Sequence, residues 1–352
     1  MSKDSLSSDS RPASRALHRL VVLAVCLVWP LIWVGGLVTT YDAGMAVPDW
    51  PETYGDNLFL YPYQTWLAGP FDLFIEHGHR LLGAVVGLVA IGIVVAAFWI
   101  ESRRWVQWLC VALLVMVIAQ GLLGGMRVVL GDRTLAMVHG CFGPAFFAVC
   151  VAVAVVTSRY WRDGDVVEKR RLGKFPAILA GSLVGLSYTQ LMLGAMLRHV
   201  QPAASPGHFA GIVSTHIMMA FLLWAITAFT WGKLRRCGDL TLSRPSSILI
   251  GLVGLQIALG IGTWVVNYGW PSFMMWVPES EAFLIRAKGF VDSIIVTAHV
   301  ATGSLILAVS TMLWVRLLRH RYRQSTLDHS SLSHSSQRPR DTADDVSELA
   351  TT

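Results

Sequence analysis

Eight stretches of this chain are long and apolar enough to cross a bilayer, and this constrains its fold more than any other feature. A hydrocarbon core of about 30 Å takes roughly 20 helical residues. The candidate spans are 18–39, 76–100, 106–130, 135–157, 176–197, 209–231, 246–267 and 292–315. With 54% hydrophobic and 14% charged residues, the chain reads as an integral membrane protein and not a soluble globule. The first apolar run follows Arg15 and Arg19. It is too long for the core of a signal peptide and lacks a clean cleavage site, so it reads as a spanning helix.

The formal net charge is +6. Its bases cluster in short runs between spans: Arg103-Arg104, Arg159 to Lys174, Lys233 to Arg236 and Arg316 to Arg323. That is a topology signal and not a nucleic-acid surface. An eight-span count puts these runs on one side together with Arg11, Arg15 and Arg19, so both termini are expected inside. Residues 41–74 carry Asp42, Asp49, Glu52, Asp56 and Asp72 but no Lys or Arg, and fall on the outer side. So does 268–291, rich in Trp, Pro and Met. Long ordered loops of this kind usually have work to do. The five cysteines, Cys26, Cys110, Cys141, Cys150 and Cys237, show no metal-type spacing and are read as packing residues.

Four of the spans carry a histidine near the outer end: His79, His139, His216 and His299. Each is followed four residues later by a small residue, Gly83, Gly143, Ala220 or Gly303. Positions four apart share a helix face. Any one such histidine could simply bond across helices. Four at one depth and one spacing predict two pairs of axial ligands, with notches in which a flat macrocycle, haem, could lie. His77 faces another direction, has Leu81 four residues on, and reads as an interfacial polar residue. His18 and His320 sit in basic flanks, and His199 and His208 in an outer loop; all four are read as interfacial or solvated. His329 and His334 fall in a polar tail.

A repeat runs through the odd-numbered spans. Gln120 to Gly124, Gln190 to Gly194 and Gln256 to Gly260 all read Gln-x-x-Leu-Gly, and each precedes a histidine span. The first span offers Gly35-Gly36 in a comparable place. The glutamines are expected to bond between helices. The plan is an all-α integral membrane protein with eight transmembrane helices in two pseudo-symmetric four-helix bundles. Its expected divisions are an N-terminal segment 1–17, a first bundle 18–160, a linker 161–175, a second bundle 176–318 and a disordered tail 319–352.

Glu76 stands one turn before His79, where it could relay protons, steady charge or simply favour a helix N-terminus. Arg80, Arg127 and Arg198 lie on the outer side against the positive-inside trend, which makes them candidate contacts for haem propionates; headgroup snorkelling is the plainer alternative.

On these residues the chain resembles the haem A synthase family. The carrying motifs are Gly35 to Gly44 continuing through Pro48-Asp49-Trp50-Pro51, then Glu76-His77-Gly78-His79-Arg80, Gln120 to Arg127, Val138-His139-Gly140, Thr215-His216 and Ala298-His299, over about residues 18–318. The resemblance implies oxidation of the C8 methyl of haem O to a formyl group, giving haem A for terminal oxidases. It implies that His79 and His139 hold the substrate haem O, that His216 and His299 hold a haem b cofactor (iron protoporphyrin IX), and that Glu76 is catalytic. It further implies a haem O synthase and a membrane electron donor as partners, and leaves room for a homo-oligomer. The setting would be the bacterial cytoplasmic membrane, or the mitochondrial inner membrane in a eukaryote. Two positions depart from the family pattern. Thr39 stands where many relatives have Arg, and the first outer loop has no cysteine pair. The competing reading is a bis-histidine di-haem electron carrier of cytochrome b type, which would stack histidines at two depths on shared helices. A transporter ranks last because the spans lack midplane charges.

Overall fold

The computed structural model describes residues 13–162, 172–200, 204–270 and 289–336. Its helices are α1 (Ala13–Thr40), α2 (Tyr63–Leu67), α3 (Phe71–Ile100), α4 (Arg104–Leu130), α5 (Arg133–Thr157), α6 (Arg159–Arg162), α7 (Phe175–Arg198), α8 (Pro206–Leu234), α9 (Leu240–Tyr268) and α10 (Phe290–Ser336). Eight of them, all but α2 and α6, are long and apolar enough to span a membrane. The chain is therefore an all-helical integral membrane protein, as its apolar segments predict.

Local chemistry sets the helix ends. Gly131 closes α4 in the left-handed conformation with φ 60°. Asp132 then caps α5, its carboxylate accepting from the N–H groups of Thr134 and Leu135 at 2.6 and 3.1 Å. This two-residue turn makes α4 and α5 antiparallel neighbours. Ser205 caps α8 in front of Pro206, and Asp239 caps α9. Pro30 and Pro144 lie inside α1 and α5, where packed neighbours make such interruptions tolerable.

In the first half α1, α3, α4 and α5 pack as a closed ring, and α7, α8, α9 and α10 do so in the second. The halves join through α5 against α10, α1 against α10 and α5 against α7. These contacts pair up as a two-fold relation would require, so the pattern is compatible with pseudo-symmetry. The larger core joins Val21 and Val28 of α1, Ile93 of α3, Leu113 of α4 and Phe147 of α5, and takes in Ala308 of α10. A second core joins Leu183, Leu223, Leu249 and Ile306 in the other half.

Several expectations need correction. The sequence predicts a disordered tail over 319–352, but α10 stays helical to Ser336. The end of the tail, residues 271–288 of the last outer loop and most of the linker lie outside the described residues. α3 and α8 begin earlier than their apolar runs suggest, at Phe71 and Pro206. The histidines consequently sit up to about three turns inside their helices rather than two.

The first outer loop is a built structure. Thr53 and Asp56 bridge across a tight turn in which Tyr54 and Gly55 both have positive φ, 52° and 82°. Such mirror-image turns call for residues that accept the left-handed region. The Asp49 carboxylate accepts from the N–H of Tyr54 at 2.9 Å and of Gly55 at 2.7 Å. Burial alone would push the Asp49 carboxyl up. These two donors and the nearby Arg80 guanidinium outweigh it and hold the group below its usual range.

Candidate functional site

The four histidines come together as the sequence predicts, in two pairs. The rings of His79 (α3) and His139 (α5) have centroids 6.4 Å apart, with planes at 86°. Those of His216 (α8) and His299 (α10) are also 6.4 Å apart, at 63°. An imidazole nitrogen stands about 2 Å from a bound metal and about 1.1 Å from its ring centre, so two rings on opposite sides of one metal would have centroids about 6.2 Å apart. The observed spacing fits one iron between each pair.

The donor chemistry fits as well. His139 Nδ1 lies 3.1 Å from the carbonyl of Gln120, and His299 Nδ1 lies 3.2 Å from that of Gln256. A carbonyl only accepts, so Nδ1 must carry the proton and Nε2 keeps its lone pair for a metal. His79 and His216 stand beside the equivalent carbonyls of Leu31 and Gln190, without a bond of standard geometry. The glutamine side chains complete two of the locks. Gln120 Nε2 donates to the His139 carbonyl and Gln190 Nε2 to the His216 carbonyl, each at 2.9 Å. In the fourth unit Gln256 Nε2 instead lies 3.4 Å from His299 Nε2. Leu31 stands in the glutamine's place in the first unit, four residues before Gly35.

The glycines in closest contact with the rings are not those the histidine spacing singled out. A Cβ on Gly143 would meet the Gln120 carboxamide at 3.0 Å, and one on Gly303 would meet that of Gln256 at 3.3 Å. Those two glycines make room for a glutamine side chain. Only Gly83 opens onto free space. The close approaches to the rings come from the neighbouring helices. A Cβ on Gly35, Gly124, Gly260 or Gly194 would stand 2.6, 3.0, 3.1 or 3.4 Å from Cε1 of His79, His139, His299 or His216. The Gln-x-x-Leu-Gly repeat held this signal: its glutamine fixes the partner histidine's helix and its glycine admits the ring.

His77 is a second correction. It is buried, 1% exposed, with Nδ1 3.0 Å from the Thr53 hydroxyl and its ring against Tyr61 and Trp66. It is buried beneath the outer loop and anchors it, rather than facing solvent or headgroups. His199 is half-buried rather than fully solvated; burial, followed by the charges of Arg198, Arg127 and Arg133, pushes its pKa down to about 4.

Glu76 is 1% exposed. One oxygen accepts from Arg80 at 2.9 Å and the other from the Val47 N–H at 3.0 Å. Arg80 also donates to the carbonyls of Asp49, Glu52 and Val47 at 2.6, 3.0 and 2.7 Å. Its donors are thus taken up by the loop and leave little for an outside anion. Arg198 reaches across the halves to the Gly36 carbonyl at 2.6 Å and to the Thr40 hydroxyl. Arg127 differs: its Nε is buried without a partner, and no hydrogen bond to its guanidinium is seen among the described residues. Next to Arg127 the loop closes down, with Trp50 packed so tightly on Gly125 that a Cβ there would stand 2.2 Å from the indole.

This architecture defines a polytopic helical membrane protein whose paired imidazoles, drawn from separate helices, lie near one end of the bundle. The family described as "COX15-CtaA: Cytochrome oxidase assembly protein" matches residues 18–209, and the chain belongs to it. Curated relatives named "Heme A synthase" include one from Shouchella clausii, 26% identical over 77% of this chain and 83% of that protein. Another, from Rhizorhabdus wittichii, is 22% identical over 86% of this chain and 94% of its own length. A third, from Hyphomonas neptunium, is 23% identical over 54% of this chain, which spans 61% of that relative.

Proposed function

We propose that the chain is a haem A synthase, an oxidoreductase that converts the C8 methyl of haem O to a formyl group. Its relatives carry that name, and the carrying observation is the pair of 6.4 Å imidazole couples. His79 and His139 would hold the substrate haem O, and His216 and His299 a haem b. The bound haems supply the redox chemistry.

The chain's own residues do the rest. Gln120 and Gln256 present carbonyls that hold His139 and His299 in the ligating tautomer. The loop latched to Glu76 and Arg80, with Trp50 packed on Gly125 beside the His139 notch at Gly124, would shield the first pair from water. Arg127, with Arg133 and Arg198 nearby, offers the unengaged guanidinium suited to a propionate. Glu76 stands one turn from His79, close enough to steady positive charge or hold a proton at its carboxylate. Electrons would come from a membrane donor and substrate from a haem O synthase. Both termini would lie on the inner side.

Expressing the chain together with a haem O synthase and extracting the haems tests this. Haem A in the extract is the expected result. Two haems per chain with no haem A would favour the cytochrome b type carrier instead.

A further inference from the structure

At the end of the bundle remote from the histidines, a cavity of about 450 Å³ opens between α1 and the α5–α6 junction. Arg15, His18 and Arg19 form the α1 wall, and Ser158, Arg159, Tyr160 and Arg162 form the other. Four arginines line the cavity: Arg15, Arg19 and Arg159 are exposed, while Arg162 is engaged in the scaffold, and no carboxylate is among the described lining residues. The scaffold around them is fixed. Arg162 donates to the Thr157 carbonyl at 2.7 Å, His18 Nδ1 lies 3.1 Å from the Thr157 hydroxyl, and the Tyr160 hydroxyl reaches the Arg316 carbonyl at 3.4 Å.

Such a concave cationic site calls for an anion, and basic pockets between spanning helices suit phospholipid headgroups. We propose that this cavity binds the phosphate of an anionic phospholipid. Arginine pairs phosphate oxygens two at a time. A soluble phosphate would share that chemistry, but the position favours a lipid. α1 runs from Arg19 directly into exposed Val22 and Leu23, an apolar strip along which acyl chains can lie while the headgroup sits in the cavity. The role is independent of the haem assignment.

The test uses the full chain in detergent, read by native mass spectrometry and thermal midpoint. Phosphatidylglycerol, phosphatidylcholine and inorganic phosphate are titrated separately. Phosphatidylglycerol should remain bound and raise the midpoint, and the other two should not. Each basic group near a membrane surface is worth about fivefold in affinity, so R15Q/R159Q should weaken phosphatidylglycerol binding about 30-fold. R236Q/R244Q removes two exposed bases elsewhere and should leave binding unchanged. If R15Q/R159Q does not fold, R15Q alone, at the exposed start of α1, should show the fivefold loss. Equal protection by inorganic phosphate would overturn the lipid assignment. Unchanged binding in R15Q/R159Q, or an equal loss in R236Q/R244Q, would overturn the site.

Discussion

Gly35 lies flat against the edge of the His79 imidazole, so that a Cβ added to it would stand 2.6 Å from Cε1. The helix that carries a ligand is thus not the one that shapes its ring's position. The neighbouring helix does so by presenting bare backbone. The same relation recurs at Gly124, Gly194 and Gly260 with slightly looser contacts.

Alanine at these glycines should therefore give a graded series. Gly35→Ala forces His79 off its rotamer, an overpacking cost of about 1–3 kcal/mol, and should remove most haem from the first pair. Gly124→Ala and Gly260→Ala should be milder, and Gly194→Ala, at ordinary contact distance, close to wild type. Haem content per chain and the low-spin spectrum report the series. Wild-type spectra for Gly35→Ala would mean that the ring does not rest on that backbone.

Gln120→Leu removes the 2.9 Å bond to the His139 carbonyl but keeps the backbone carbonyl that holds Nδ1. Interhelical bonds of this kind average about 0.6 kcal/mol and reach about 1.7. A small drop in thermal midpoint with both haems retained is the expected outcome. Loss of the haem at His139 would show that the side chain does more than tie two helices.

Glu76→Ala should abolish conversion, a fall of about 100-fold or more, while much of the haem spectrum remains. It also strands Arg80 in a buried place, and breaking such a pair costs about 3–5 kcal/mol. Protease sensitivity within 41–62 should rise in parallel. Glu76→Gln can still accept from the Val47 N–H and should keep the loop better closed while losing activity. If Glu76→Gln turns over at the wild-type rate, the carboxylate serves only as a latch.

Acid should loosen the first outer loop through Asp49. Its carboxyl is held below the usual 3.8, so the folded loop favours the ionised form. That contribution is fully present above about pH 4 and is lost as pH falls through the lowered value. Fluorescence of the nearby Trp50 should therefore be flat from neutral pH to about pH 4 and change below it. Asp49→Asn should remove the transition; its persistence in that variant would assign the change to another group.

The class of fold was legible from the sequence because lipid permits so few solutions: eight apolar runs of helical length have to become eight helices. The pairing of His79 with His139 and of His216 with His299 was legible too, because depth and repeat placed them alike. Packing decided the rest. Only the crossing of α4 over α5 shows that Gly143 serves Gln120 while Gly124 serves His139, since spacing along one helix says nothing about what the next helix presents. In the sequence Arg80 reads as a propionate contact and His77 as an interfacial residue. Their partners, the carbonyls of residues 47–52 and the Thr53 hydroxyl, come from a loop whose placement against α3 is set by hydrogen bonds between residues far apart in sequence.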